Sequence, residues 1–247
     1  MKIYQLTDLH LSLQPDDDTF GHDVKLHFDL AIQYIRENPA DFLVLTGDLC
    51  LDTGNAETYQ YIKMALKSLE CPYILLPGNH DDTSLMLACF GQDLCVSSVS
   101  LQVLTAGFCA LYINSGSGAI DERILQLVSE YLESSSTPVL VFIHHPVLPV
   151  DVPYMETNYA LSGREVLLQL FKEYSGRCYL FCGHYHADIT AMDENVIQQI
   201  TPSLFFQIKP GKALFTPDNL PPAFRELVLQ GNTLQSRVVS LSPKNAM

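Results

Sequence analysis

Seven side chains that can bind metal ions follow five short hydrophobic runs of this chain. The runs span residues 3–7, 42–46, 73–76, 139–143 and 179–182, and each has the length of a strand. The side chains that follow them are Asp8, His10, Asp48, Asn79, His144, His184 and His186. Ligands of α/β sheets gather outside the carboxyl ends of the strands. The five runs therefore predict one polar pocket in which these side chains meet.

The donor types in this pocket indicate the chemistry. Carboxylate, amide and imidazole groups suit Mn, Fe, Zn or Ni rather than a soft thiolate site. Seven donors are too many for one ion, but they suit two ions if one carboxylate is shared. Two metals about 3.5–4 Å apart can clamp the attacking and leaving oxygens of a phosphoryl displacement and activate water at neutral pH. We therefore predict a dinuclear site for phosphoryl chemistry, with glycines at 47, 78 and 183 allowing close approach.

The segments between and after these runs predict the elements that position the pocket. Apolar residues recur at helical spacing in four segments: 24–35, 59–69, 121–132, which Asp121 caps, and 160–174. Strands that alternate with helices predict a largely parallel sheet in the first half. Antiparallel pairs are predicted at 100–114, 188–200 and 225–240, which indicates a second, mixed sheet packed on the first. The stretches 146–153 and 202–222 are predicted to be surface loops, the former a wall or lid of the pocket.

Composition excludes several classes of protein. The chain has 247 residues, 47% of them hydrophobic, which suits one large domain. Its 14 Lys and Arg against 28 Asp and Glu give a net charge of -14, which disfavours nucleic acid and acidic lipid as partners. Seven cysteines without a C-x-x-C pair predict buried thiols in a reducing cytosol. Because no signal-like or membrane-length apolar run is present, we expect a cytoplasmic protein.

The combined motifs resemble a known family. Asp8-x-His10, Gly47-Asp48, Gly78-Asn79-His80-Asp81, His144 and Gly183-His184-x-His186 look like the complete signature of the calcineurin-like metallophosphoesterases. The resemblance extends to bacterial class III cyclic nucleotide phosphodiesterases through residues 76–81, 144–146, 201–203 and 207–210. It covers nearly the whole chain in the family's order and spacing. It implies a four-layer α/β/β/α sandwich of two mixed β-sheets, built by one domain over residues 1–247 with a C-terminal β-hairpin extension at about 201–247.

Residue roles follow from the resemblance. It implies one metal, usually iron, on Asp8, His10 and His186, and a second, often manganese, on Asn79, His144 and His184, with Asp48 bridging. Zinc or other divalent ions are alternatives.

The same resemblance implies roles for residues that are not ligands. A hydroxide shared by the metals would attack phosphorus, while His80 would stabilise the transition state and protonate the leaving alkoxide. Asp81 would orient His80, and His145 is interpreted as a hydrogen-bonded neighbour rather than a ligand. His22 and Asp23 are candidate substrate contacts.

The resemblance also predicts the reaction. We expect a phosphodiesterase that opens 3',5'-cyclic nucleotides, cAMP first, to 5'-monophosphates. The alternatives are a glycerophosphodiester, a 2',3'-cyclic nucleotide or a simple phosphomonoester, because metal ligands alone do not distinguish them. An interaction module without catalysis and a repair nuclease are further alternatives that the complete ligand set and the acidic charge disfavour. The family commonly has a second proline after His-His-Pro, whereas Val147 stands here, which changes the loop that follows.

Overall fold

Three parallel strands begin the first sheet of this computed structural model, which describes residues 1–14, 17, 19–105, 107–134 and 137–241. They are β1 (Lys2–Leu6), β2 (Phe42–Thr46) and β3 (Tyr73–Leu76). The last two strands, β12 (Ala223–Gln230) and β13 (Thr233–Ser240), complete the order β13-β12-β1-β2-β3. Because β12 pairs antiparallel with β1, the N-terminal strand is central rather than at an edge. This strand position places Asp8 deep inside the molecule.

The second sheet contains six strands in the order β4-β5-β6-β7-β9-β8. Its strands are β4 (Val99–Thr105), β5 (Phe108–Ile113), β6 (Val139–Ile143), β7 (Cys178–Cys182), β8 (Ile189–Asp193) and β9 (Val196–Ile200). The strands β5, β6, β7 and β9 are parallel, while β4 and β8 pair antiparallel at the two edges. A short ladder joins β10 (Gln207–Ile208) to β11 (Pro217–Asp218). Both main sheets are mixed, as predicted.

Six helices are present among the described residues, and most begin at a capping side chain. They are α1 (Val24–Glu37), α2 (Ala56–Lys67), α3 (Thr83–Phe90), α4 (Glu122–Glu133), α5 (Pro153–Asn158) and α6 (Arg164–Glu173). Asp23, Asn55, Asp82 and Asp121 each accept a backbone N–H of the first turn, so they satisfy donors that would otherwise lack partners. None of the described helices is long and apolar enough to cross a membrane.

Alternating side chains divide the buried strands between two kinds of core. Val44 of β2 and Phe142 of β6 lie in the core between the sheets. Their neighbours along the strands point the other way, Leu45 under the helices that cover the first sheet and Val141 under α4 and α6. Because successive strand residues face opposite sides, a strand that is apolar throughout needs cover on both faces. The result is the predicted α/β/β/α sandwich.

Several sequence-based predictions differ from the structure. The helix predicted from residue 160 begins at Arg164, because Gly163 before it has a left-handed φ of 80°. Helix α3 was not predicted, since its sequence lacks a polar and apolar period. Three of the seven cysteines, Cys71, Cys89 and Cys109, are only partly buried, and all seven are free thiols. Ala106, within a predicted turn, and residues 242–247 lie outside the described part of the chain.

A buried polar network joins the sheets beneath the strand ends. The Gln5 side chain donates to Thr46 Oγ1 at 3.0 Å and to the Cys182 carbonyl at 3.2 Å, so it links β1, β2 and β7. Thr201 Oγ1 donates to Gln5 Oε1 at 2.6 Å, and Arg225 Nε donates to Thr201 Oγ1 at 2.9 Å. The Arg225 side chain is buried, and its Nη2 also donates to Asp188 Oδ1 at 2.7 Å. The network fixes the two sheets relative to each other.

Replacing Arg225 by alanine should lower the free energy of unfolding by about 3 kcal/mol, because buried acceptors lose a charged donor. Urea unfolding followed by circular dichroism measures the change. Arg123→Ala, at an exposed arginine of α4, is the control and should change stability by less than about 0.5 kcal/mol. Equal effects of both substitutions would contradict a structural role for the network.

Candidate active site

The carboxyl ends of β1, β2, β3, β6 and β7 bring the predicted ligands together. Ligand atoms of Asp8, His10 and His186 lie within 4.8 Å of one another, as do those of Asp8, Asp48 and His144. Two further groups that satisfy the same limit are His10 with Asp48 and His80, and His144 with His145 and His184. These overlapping groups form two adjacent clusters that share Asp48.

Backbone conformation marks the same residues. Among the described residues, eight that are not glycine have a left-handed φ, and five of these are predicted ligands. Those five are Asp8 at 52°, His10 at 41°, Asp48 at 51°, His184 at 64° and His186 at 47°. Such conformations cost about 1–3 kcal/mol each and persist only where surrounding structure imposes them. The strand ends therefore turn sharply so that each side chain points into one pocket.

The first cluster presents two histidine nitrogens to one another. His10 Nδ1 lies 3.2 Å from the Leu51 carbonyl, and His186 Nδ1 lies 2.9 Å from the Phe206 carbonyl. Because a carbonyl accepts only, each Nδ1 carries the proton and each Nε2 presents a lone pair. The two Nε2 atoms are 3.1 Å apart, and Asp8 Oδ1 is 3.4 Å from His186 Nε2. Three buried atoms that carry lone pairs therefore converge on one place, and this arrangement fits a cation.

Asp48 lies between the two clusters. Its Oδ2 atom is 3.7 Å from His10 Nε2 and 3.2 Å from His144 Nε2. Its Oδ1 atom accepts the His80 backbone N–H at 2.8 Å, which fixes the carboxylate plane. A carboxylate placed between imidazoles of both clusters has the position that a bridging ligand requires.

The second cluster contains His144, His184 and Asn79. His144 Nδ1 donates to the Thr46 carbonyl at 2.7 Å, so Nε2 faces the pocket, 3.3 Å from Asn79 Oδ1. His184 has the opposite orientation, because Nε2 donates to the Tyr159 carbonyl at 3.0 Å and leaves Nδ1 for a ligand. Both histidines are buried, whereas Asn79 is exposed on the cleft side. The donor set is again imidazole and oxygen, which fits a borderline divalent ion.

His145 lies behind the second cluster. The Ser115 hydroxyl oxygen accepts the His145 backbone N–H at 3.2 Å and lies at hydrogen-bond distance, 2.9 Å, from His145 Nδ1. These two contacts hold the His145 ring in place beside His144 and His184, whose ligand atoms lie within 4.8 Å of that of His145. Sequence reasoning missed Ser115, which belongs to no motif of its own.

His80 and Asp81 have different partners from those expected. The His80 ring lies edge-on to His10 with centroids 4.8 Å apart, and its buried Nδ1 has no hydrogen-bond partner among the described residues. Asp81 accepts from the backbone N–H groups of Leu49 at 3.1 Å and Gly78 at 3.0 Å, and from Tyr59 Oη at 3.0 Å. Asp81 therefore fixes the two loops that carry Asp48 and Asn79 and does not orient the His80 ring.

The predicted substrate contacts lie at the edge of the site. Asp23 Oδ1 accepts the Leu26 N–H at 2.9 Å and caps α1, so its carboxylate has a structural role. The His22 ring lies 5.6 Å from Phe205, which itself lies 5.3 Å from His10. The His22 ring therefore lies beside the pocket, on the other side of Phe205 from His10.

Two features hold the strand ends in this close arrangement. A Cβ atom at Gly47, whose φ is 97°, would lie 2.7 Å from His144 Nδ1, so only glycine allows the ligand to pack there. The Ser203 hydroxyl donates to the Asp8 carbonyl at 2.9 Å, and Gln207 Oε1 accepts the Ser203 N–H at 3.0 Å. The segment 201–203 therefore holds the backbone of Asp8, at the end of β1, in place.

Burial and charge shift the protonation of the cluster. Burial lowers the pKa of His10 to about 4 and that of His184 to about 3, so both imidazoles are neutral and able to bind a metal. Burial also disfavours a charged His144, but the Asp48 carboxylate and its hydrogen bond raise the His144 pKa to about 9. The metal-free protein therefore holds a proton between His144 Nε2 and Asp48 at neutral pH.

Metal binding near pH 7 should therefore release about one proton from His144, and affinity should rise up to tenfold per pH unit toward about pH 9. The sign follows because a ligand must be deprotonated, and the proton competes below its pKa. Titration calorimetry with Zn²⁺ in buffers of different ionisation enthalpy measures the release. His144→Asn is the control and should reduce it; identical release by both proteins would refute the assignment.

Comparison with known proteins identifies the family. The sequence profile of the calcineurin-like phosphoesterases matches residues 1–188, which include every predicted ligand. The chain belongs to this family. The predicted resemblance and the predicted enzyme class, a metal-dependent phosphoester hydrolase, are confirmed. The family has a dinuclear metal centre, and the clustered aspartates and histidines of this calcineurin-like phosphoesterase are groups able to hold metal ions.

Three relatives illustrate what the chain is similar to. The 3',5'-cyclic adenosine monophosphate phosphodiesterase CpdA of Escherichia coli K12 is 28% identical over 98% of this chain and 90% of its own length. A probable cyclic nucleotide phosphodiesterase of Fibrobacter succinogenes is 25% identical, with coverage of 96% and 93%. A probable glycerophosphodiester phosphodiesterase GpdQ of Arcobacter nitrofigilis is 27% identical, with coverage of 80% and 76%. The three names include two substrate classes.

Solved structures confirm the fold. A dimetal phosphatase from Danio rerio superposes with a TM-score of 0.69 at 11% identity and covers 98% of this chain and 99% of its own. A protein from Thermus thermophilus superposes with a TM-score of 0.62 at 11% identity, with coverage of 96% and 97%. At these identities the likeness establishes the sandwich architecture and nothing about substrate.

Proposed function

We propose that this protein is a dinuclear metal-dependent phosphodiesterase that opens 3',5'-cyclic nucleotides, cAMP foremost, to 5'-monophosphates. The observation that carries the proposal is the similarity to named cyclic nucleotide phosphodiesterases over at least 90% of both lengths. The geometry agrees with it, because a pocket with two adjacent donor clusters suits one small phosphate group. The acidic chain, with a net charge of -14, disfavours polyanionic nucleic acid as a substrate.

The two clusters divide the seven donors. Asp8, His10 and His186 form the first site, and Asn79, His144 and His184 form the second, with Asp48 shared. Imidazole, carboxylate and amide donors suit iron and manganese, which we propose as the pair, and zinc has compatible chemistry. Metal ions bound there would lower the pKa of a bound water and stabilise charge on the phosphoryl oxygens.

The protein's own residues would complete the reaction. Asp48 and Asn79 would direct their oxygen atoms to the place where the phosphate binds. The backbone carbonyls that accept from His144 and His184 hold these two histidines in the tautomer that a metal ligand needs. We propose that the His80 imidazole donates a proton to the 3' oxygen as the P–O3' bond breaks. Water supplies the oxygen that remains on phosphorus, so the product is the 5'-monophosphate.

A second candidate function has its own support. The Arcobacter nitrofigilis relative is named a glycerophosphodiester phosphodiesterase and is 27% identical over 80% of this chain. The metal ligands act on the phosphate that both substrate classes contain, so they do not separate the classes. A 2',3'-cyclic nucleotide or a phosphomonoester would bind the same clusters.

A substrate panel tests the proposal. Protein reconstituted with Mn²⁺, and separately with Fe²⁺ and Mn²⁺, is assayed with cAMP, 2',3'-cyclic AMP, glycerophosphocholine and p-nitrophenyl phosphate. We expect the highest kcat/KM for cAMP. A higher value for glycerophosphocholine would establish the second candidate instead, while no turnover of any ester at full metal content would indicate a binding module. Metal analysis by mass spectrometry should find two ions per chain.

A further inference from the structure

An arc of six aromatic side chains borders the two donor clusters. It consists of Phe20, Tyr154, Tyr159, Phe205, Phe206 and Phe215. Neighbouring rings touch in sequence, with centroids 5.8 Å apart for Tyr159 and Tyr154, 5.6 Å for Tyr154 and Phe215, and 6.0 Å for Phe215 and Phe20. Three separate segments of the chain contribute these rings, one of them helix α5 with Tyr154 and the residue that follows the helix, so the arc exists only in the folded chain.

Both ends of the aromatic arc reach the proposed metal ligands. Phe205 lies 5.3 Å from the His10 ring and Phe206 lies 5.0 Å from the His186 ring, both at the first cluster. At the other end the Tyr159 ring lies 6.4 Å from His184 and edge-on to it. If a phosphate ester bound between the clusters, its organic group would therefore lie next to the aromatic arc.

Phe20 is the ring of the arc that is most open to solvent. Its side chain is 59% exposed, whereas Phe205 and Phe206 beneath it are 2% and 8% exposed. The Phe20 ring lies 5.4 Å from Phe206 and 6.0 Å from Phe205, so buried rings support it from one side. Its φ of 52° is an uncommon conformation for a bulky residue. The loop thus holds part of the Phe20 ring toward solvent above the buried rings.

We propose that Phe20 is the platform on which the base of a nucleotide stacks while the phosphate lies at the donor clusters. This inference rests on the proposed function and names the residue that recognises the nucleoside part. A flat base matches the exposed part of the ring, and stacking needs no charged partner. Every base has a π-face, so stacking tolerates base changes and favours the larger purines. Phe20 would thus separate nucleotide esters from glycerophosphodiesters.

The chain offers an optical test, because it contains no tryptophan. Phe20→Trp introduces a single indole at the proposed platform. We expect 5'-AMP to quench its fluorescence in a saturable manner in the zinc-loaded protein, and ribose 5-phosphate, which lacks a base, to leave it nearly unchanged. Met192→Trp, on a 74% exposed residue of β8, is the matched control and should respond to neither compound.

A second measurement uses the loss of the ring. By titration calorimetry, Phe20→Ala should raise the Kd of 5'-AMP about 10-fold relative to ribose 5-phosphate, and Phe20→Tyr should restore it. An equal rise for both compounds, or no rise for either, would overturn the proposal, as would unquenched indole fluorescence at saturating 5'-AMP. Turnover of cAMP by the unaltered protein is scored separately. Quenching without cAMP turnover would keep the stacking site and reject the proposed substrate.

Discussion

Asp48→Asn should lower kcat/KM for the phosphodiester substrate by about 10³-fold and reduce bound metal from two ions per chain toward one. The reason is geometric, because Asp48 Oδ2 lies 3.7 Å from His10 Nε2 and 3.2 Å from His144 Nε2. An amide oxygen has no net charge and cannot bind both ions as a carboxylate does. Metal analysis by mass spectrometry and steady-state kinetics measure the two effects.

The chain provides a matched control for Asp48. Asp52 is an exposed carboxylate on the same loop and borders the cleft beside Asn79 and His80. Asp52→Asn removes one negative charge close to the site without touching a donor cluster, so kcat/KM should change by less than about 3-fold. If Asp48→Asn retained two ions and full activity, the bridging assignment would be wrong.

His80→Ala should lower kcat for cAMP by about 10²- to 10³-fold while both metal ions remain bound. The His80 ring packs against His10, and His80 lines the cleft beside Asn79, so the imidazole is placed close to the phosphate that we propose binds there. A poor alkoxide leaving group needs a proton, whereas p-nitrophenolate does not. The loss on bis(p-nitrophenyl) phosphate should therefore be less than about 10-fold.

The ratio of the losses on cAMP and on bis(p-nitrophenyl) phosphate distinguishes proton donation by His80 from a structural role of this residue. Ser84→Ala, at an exposed residue lining the same cleft, is the control and should affect neither substrate. An equal loss on both substrates after His80→Ala would contradict proton donation and indicate that His80 only positions Asp48 or the phosphate. Loss of metal in the variant would likewise contradict the assignment.

Much of the site was predictable because its signal is local in sequence. Each ligand follows a hydrophobic run, and side chains at the carboxyl ends of parallel strands must meet at one edge of a sheet. The four-layer sandwich, in contrast, was implied by the family resemblance and not by any single run. The helix caps Asp121 and Asp23 also carry short-range signals, although Asp23 was interpreted as a substrate contact.

Other parts were not predictable because long-range contacts produce them. The carbonyls of Thr46, Leu51 and Tyr159, which set the histidine tautomers, belong to residues of no distinctive type. Asp81 follows His80 directly, yet its oxygens accept from backbone groups of two other loops. The C-terminal hairpin joins the first sheet beside β1, a register that no local pattern specifies. Folding, rather than spacing, decides such partners.

The left-handed backbone at five ligand positions has a consequence for engineering an inactive scaffold. Valine at Asp8 or His186 removes the metal donor and adds a branched side chain to a left-handed turn that the fold requires. Asparagine is tolerated far better at positive φ, so it separates chemical loss from conformational damage. Inactive descendants of such an enzyme should therefore accumulate asparagine or glycine at these turns sooner than branched residues. Knock-out libraries that place branched residues at these turns would overstate how strongly metals stabilise the protein.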